Sequence, residues 1–420
     1  MTDPSLDVWL SDRRVGRLYQ VGGRLVFVYA ADWLVLDDIV ALSMSMPLRV
    51  EPYNDRAARA FFAGLLPEHE QRHRVASALG VSPRNDFALL AGIGGECAGA
   101  VTFTPPGDAP VLRPIAADYW SLEDIQLAGI LKSLPERPLL AGEADLRVCL
   151  AGVHDKLPVL VKAGRVLLPL HGVPSSHIVK PALRDLAGSV YNEAFCLALA
   201  RAIGLDTAAT AIGTADNEDY LLIERYDRET RTKGGPVRLH QEDFCQALAV
   251  PPERKYEDDG GPSLTDCFGL LRAEVARPVL DLPRLLDFVL FNALVGNNDA
   301  HGKSFSFVYT ATGIRLAPLY GTMCTAIYPG QRAGMAMTIG GTAEFAALSP
   351  RHWQRLARDA GLSAPQTRRR LVDMAARLPA AAAALRGDFE AYPNGLPIID
   401  RIVALMTERC AATLGGFDKA

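Results

Sequence analysis

Between Leu294 and Tyr309 the chain reads LVGNNDAHGKSFSFVY, a polar run enclosed by apolar ones. Asp299, His301 and Lys303 fall on alternate residues, in a segment otherwise too apolar for a solvated surface loop. Upstream, LLDFVLFNALVG from Leu285 reads as a buried helix; downstream, SFSFVYTATGIRLAPLY reads as a hairpin turning at Thr312-Gly313. Such groups in so apolar a setting need a partner or a use, because buried charges persist only when paired or put to work. With 420 residues the chain is long enough for such a core and for two or three domains.

The remaining sequence changes character along its length. DVWLSDRRVGRLYQVGGRLVFVY, from Asp7 to Tyr29, has the short alternating runs and the Gly22-Gly23 turn of β-hairpins. Phe61, Phe62, Leu65 and Leu66 recur at helical spacing, with Pro67 as a break and Gly80 as a stop. PPGDAPVLRP, from Pro105 to Pro114, is the best linker. Strands dominate from Leu146 to Arg225, interrupted by one helix, YNEAFCLALARAIG, whose Phe195, Leu197, Leu199 and Ile203 cover one side and whose Gly204 ends it. After about Gln241 the chain reads as helical apart from the one hairpin. The expected divisions are 1–105, a β-rich N-terminal subdomain; 106–240, a second β-rich region; and 241–420, a helical region carrying the polar loop.

Several function classes are disfavoured. A net charge of −4 gives no global electrostatic case for nucleic acid. MTDPSLDVWLSDRR lacks the apolar stretch of a signal peptide, and the segment from Leu285 falls short of the roughly 20 residues a membrane span needs, so the expected location is the cytoplasm. Seven cysteines without a CxxC pair read as reduced, buried thiols. HEQRH, from His69 to His73, matches the HExxH zinc motif literally. Its polar neighbours Gln71, Arg72 and Arg74 instead favour a solvated helix face and argue against a metalloprotease.

Other segments carry chemistry in a telling order. LAGVHDK, from Leu150 to Lys156, is a small-residue turn between strands; its amides could cradle phosphates, with Lys156 adding charge, and an ordinary hairpin turn would look the same. Lys180 ends the apolar strand HIVKP, and Glu193 begins the next helix as a possible partner. Glu224 and Tyr226 alternate on LLIERYD, which reads as the last strand before the helical part. Asp299 then follows in its loop.

Together LAGVHDKLPVL, SHIVKP, NEAFCLALA, ERYDR, KYEDDGGPS (Lys255 to Ser263), GNNDAHGKSFS and LAPLY resemble the HipA family of bacterial toxin kinases. PLRVEPYN, FFAGLLPE and IGGECAGAV extend the likeness to the N-terminal part. The resemblance implies an α+β, two-lobed protein-kinase-like fold: a β-rich N-terminal lobe with an extra N-terminal subdomain, and a helical C-terminal lobe. It implies a serine/threonine kinase of a toxin-antitoxin system that uses ATP and Mg²⁺ on a cellular protein, in the family's best-known cases an aminoacyl-tRNA synthetase. It also implies a helix-turn-helix antitoxin of the HipB kind as partner, with DNA met only through that complex. Position by position, Asp299 matches the catalytic base and His301 and Lys303 its companions. Ala151, Gly152, Val153, His154, Asp155 and Lys156 match the phosphate-contacting loop, Lys180 the phosphate-binding lysine, and Glu224 and Tyr226 the adenine hinge. Tyr320 falls beside the nucleotide in LAPLY.

Three positions depart from the family pattern. Ser304 stands where a metal-binding asparagine is expected, and Gly321 where LxPxYD would supply a metal-binding aspartate. Cys149 replaces a serine that the family autophosphorylates. A serine retains one oxygen that could reach Mg²⁺, whereas glycine offers none. The departures open a second expectation, a pseudokinase that acts by binding its partner.

Overall fold

The computed structural model describes residues 3–418 apart from 112–113, 144 and 232–234, so Leu112 and Arg113 of the expected linker lie outside the described residues. The chain divides into two units, one of Met1–Pro181, Gly213–Glu253 and Val308–Thr310, the other of Ala182–Ile212, Arg254–Phe307 and Ala311–Ala420.

The first unit opens with the antiparallel strands Ser5–Leu10, Arg13–Val21 and Arg24–Tyr29, and Val101–Thr104 pairs with the first of them. Gly22 and Gly23 make the tight turn at φ 56° and 80°, a left-handed conformation that costs other residues about 1–2 kcal/mol. The helix Asp55–Gly64 buries Phe61 and Phe62, and the Phe62 ring lies 5.5 Å from Phe27 and 5.8 Å from Phe103. Past Pro67, the helix His69–Leu79 ends on Gly80 at φ 67°. His69 and His73 of the HEQRH segment are exposed while Gln71 between them is buried.

A second sheet runs in the order Tyr119–Ser121, Arg165–Pro169, Leu157–Lys162, His177–Pro181, Glu218–Glu224, with Thr210–Ala215 at its edge. Beside it a group of buried charges joins residues far apart in sequence. Glu96, wholly buried, accepts from Arg225 at 3.1 Å, Arg228 at 2.8 Å and Arg238 at 2.6 Å. Asp227 accepts from Arg225 at 2.8 Å and from the Gly99 amide at 2.7 Å. Burial alone would raise the Glu96 carboxyl, but Arg228, Arg238 and Arg225 hold it well below the usual range.

The second unit carries long helices at Ser189–Ala202, Leu264–Glu274, Pro278–Val295, Ala364–Asp388 and Leu396–Asp418, with an extended loop region from Ala317 to Ser349 between the hairpin and the later helices. The helix Ser189–Ala202 is not the one-sided amphipathic helix its apolar spacing suggested. Ser189 through Leu197 are all buried, polar Asn192 and Glu193 included, because Asn192 bonds the Cys324 backbone at 3.0 and 2.8 Å. All seven cysteines are buried and none is in a disulfide among the described residues. No helix is long and apolar enough to cross a membrane among the described residues.

Candidate active site

The apolar helix Pro278–Val295 stops at Gly296, φ 88°, where an added Cβ would lie 3.1 Å from both Cys324 and Leu405. Side chains then relay the helix end to Asp299. Asn292 donates to Phe288 O at 2.8 Å, Asn297 donates to Asn292 Oδ1 at 2.7 Å, and the Asp299 amide donates to Asn297 Oδ1 at 3.1 Å. Asn298 fixes the other side of the turn through the carbonyls of Arg332 at 3.1 Å and Ala333 at 2.7 Å. Asn297 thus serves the turn through short-range hydrogen bonds, a use to which such side chains are suited, while Asn298 ties it to carbonyls 34 and 35 residues away.

Asp299 leaves 39% of its side chain exposed, whereas His301 and Lys303 are buried. Tyr256 donates its hydroxyl to Asp299 Oδ1 at 2.8 Å, and His301 Nε2 lies 4.0 Å from Oδ2. The Lys303 amide donates to His301 Nδ1 at 3.2 Å, which leaves Nε2 to carry the proton of a neutral ring. Burial, together with the charges of Lys255 and Lys303, drives His301 well below its usual pKa and keeps it neutral. The loop thus offers one partly exposed carboxylate with a neutral imidazole and lysine charge close by, a composition suited to taking a proton where negative charge develops.

Tyr320 does not project its hydroxyl outward. That group donates to Lys303 O at 2.8 Å and pairs with Ser306 Oγ at 2.6 Å, so Tyr320 holds the back of the loop.

The residues at the two expected metal positions do not fit Mg²⁺. Ser304 Oγ lies 3.2 Å from Asp299 O and 3.2 Å from His301 Nδ1, and it accepts from the His301 amide at 3.2 Å. These contacts close the one-turn helix Gly302–Ser304 and turn its only side-chain hydroxyl inward. Gly321, at φ 59° with nothing within 4 Å of an added Cβ, supplies no ligand. Among the described residues no group of three or more His, Cys, Asp or Glu is arranged to hold a metal.

The remaining expected residues sit in the first unit, on or beside three neighbouring strands. The turn Ala151–Lys156 leads into Leu157–Lys162; Leu157 pairs with Val179, Lys180 with Leu221, and Glu224 with His177. Within the turn Gly152 adopts φ 107°, Gln71 donates to Asp155 at 2.9 Å, and Lys156 donates to the Ala151 carbonyl. Val153 and His154 are half-buried. Lys180 is half-buried and Glu224 exposed. Tyr226 is not on the strand with Glu224, as the alternation suggested. The strand ends at Glu224, since Arg225 and Asp227 turn into the buried cluster around Glu96, and Tyr226 donates to Gln241 instead. Cys149 is fully buried with its Sγ 3.1 Å from Leu65 O.

Comparison with known proteins bears on this arrangement directly. Residues 6–104 match the HipA N-terminal domain and residues 148–382 the HipA-like C-terminal domain. The chain belongs to the HipA family. A putative kinase, Y4mE of Sinorhizobium fredii, is 45% identical over 377 residues, 89% of this chain and 90% of the relative. The serine/threonine-protein kinase toxin HipA of Shewanella oneidensis is 30% identical over 352 residues, 80% of this chain and 78% of the toxin. A solved complex of HipA, HipB and operator DNA from Shewanella oneidensis MR-1 contains a chain that superposes with a TM-score of 0.85 at 26% identity, covering 99% of this chain and 98% of that one. The fold is α+β on the kinase-like plan, as expected from the sequence. The role of Tyr256 was not legible in advance: KYEDDGGPS stood out as a family segment, but nothing in it points to a residue 43 positions away.

Proposed function

We propose that this HipA-family chain is a serine/threonine protein kinase toxin. Asp299 accepts the proton of a protein hydroxyl while that oxygen bonds the γ-phosphorus of ATP, and the bond to the departing ADP breaks. The observation that carries the reading is the half-exposed Asp299 carboxylate, held by Tyr256 at 2.8 Å in a loop whose His301 and Lys303 are buried. Ala151–Lys156 and Lys180 would meet the phosphates, and Glu224 and Tyr226 the adenine. The partner would be a HipB-like antitoxin, with DNA contacted through that complex; the solved relative crystallised with HipB and operator DNA supports this.

A second reading rests on a specific observation. Ser304 Oγ is engaged within its own loop at 3.2 Å and Gly321 has no side chain, which favours a chain that has kept the fold and partner binding with weak phosphoryl transfer. Incubation of purified protein with γ-labelled ATP, in magnesium and separately in manganese, tests both. Label incorporated into protein by wild type and lost in Asp299→Asn supports the kinase. Equal background in both supports the binding protein.

A further inference from the structure

We propose that Tyr256 is the positioning residue that orients the Asp299 carboxylate; the proposal rests on the reading of Asp299 as the base. The segment that carries Tyr256 is built to hold it. After the turn Glu257–Asp259, Gly260 adopts φ 81°, and an added Cβ at Gly261 would lie 2.3 Å from Arg254 O and 2.5 Å from Tyr256 O. The DDGG sequence therefore makes a reversal that no larger residue could make, closed by the Gly261 amide on Tyr256 O at 2.8 Å.

Both flanks of Tyr256 are tied down. Lys255 O accepts from the Gly302 amide at 3.3 Å, inside the Asp299 loop itself. The Glu257 amide donates to Ala336 O at 3.2 Å, and its carboxylate accepts from Thr338 N at 2.5 Å and Thr338 Oγ1 at 3.0 Å. The ring is fixed as well: the Arg332 guanidinium lies 5.0 Å and Lys255 Nζ 5.4 Å from its centroid, and the His301 ring stands edge-on at 5.2 Å.

From this mounting the phenol reaches Asp299 Oδ1 at 2.8 Å, and Oδ2 is the oxygen next to His301 Nε2 at 4.0 Å. A donor on one oxygen stops the carboxylate rotating and fixes the direction in which it faces an incoming hydroxyl.

Tyr256→Phe keeps the ring and its stacking while deleting the donor. Steady-state phosphoryl transfer by this variant should show kcat lowered about tenfold with KM for ATP within about twofold, as expected for one hydrogen bond to a charged group. Unchanged kcat would overturn the proposal. A second measurement does not depend on turnover: urea unfolding of wild type, Tyr256→Phe, Asp299→Ala and the double variant. Orientation by the phenol requires non-additive effects, and additivity would overturn it. Coupling in unfolding with no transfer by any variant would leave the clamp standing and refute the kinase reading alone.

Discussion

The hydroxyl of Ser304 lies 3.2 Å from the carbonyl oxygen of Asp299 and 3.2 Å from Nδ1 of His301. Five residues beyond the base, this side chain closes the loop onto itself. Ser304→Ala should therefore cost about 1 kcal/mol of stability, the worth of a half-buried hydrogen-bonding group. ATP affinity in the presence of Mg²⁺ should change by less than about twofold, because the serine is not a ligand. Urea unfolding and calorimetry check the two halves; a tenfold loss of ATP affinity without loss of stability would show that Ser304 ligates the metal after all.

Glu242 and His240 should give opposed pH dependences in the first unit. Burial pushes Glu242 up to about 7 from 4.5, while Ser43 and Tyr309 donate to its oxygens at 2.5 Å each. Between 4.5 and 7 the folded chain keeps a proton that the unfolded chain releases, so this contribution to stability falls as pH rises. Burial lowers His240 to about 4 from 6.5. Below 6.5 the unfolded chain binds a proton that the folded chain rejects, so stability rises with pH from 4 to 6.5. Thermal melts of wild type should change little between pH 5 and 6.5, whereas Glu242→Gln should gain stability across that interval and keep its advantage at pH 8. Parallel curves would contradict the assignment.

Glu96→Gln should destabilise the chain by about 3–5 kcal/mol, since it leaves Arg225 and Arg228 with Asp227 as their one carboxylate in the cluster and takes from Arg238 its ion pair with Glu96. Urea unfolding measures this. A loss below about 1 kcal/mol would mean that the cluster contributes little beyond packing.

What was legible in the sequence was mostly local. Gly80 and Gly204 announce themselves because a left-handed glycine acts within a few residues. The polar loop between a helix and a hairpin was visible for the same reason. Tyr226 was misplaced because the force that ends its strand comes from Glu96, 129 residues from Arg225, and a residue pattern cannot show a partner that distant. Tyr256 was missed on the same ground. Ser304 carries a local signal of its own: a serine three residues after His301 is at the spacing for closing a turn, and that use competes with metal binding.

The central claim is that Asp299 is a working base in a site limited by Ser304 and Gly321. The space around Gly321 is open and its φ of 59° is one that aspartate tolerates at about 1–2 kcal/mol, so Ser304→Asn with Gly321→Asp can restore both ligands. Either change alone should do little, because Mg²⁺ would remain incompletely held. The deciding measurement is the rate of label transfer from γ-labelled ATP by wild type, the two singles, the double variant, and the double variant carrying Asp299→Asn. The account predicts at least a tenfold gain for the double variant alone and a return to background on adding Asp299→Asn. A wild type already as fast as the double variant, or a triple variant that keeps the gain, would contradict it.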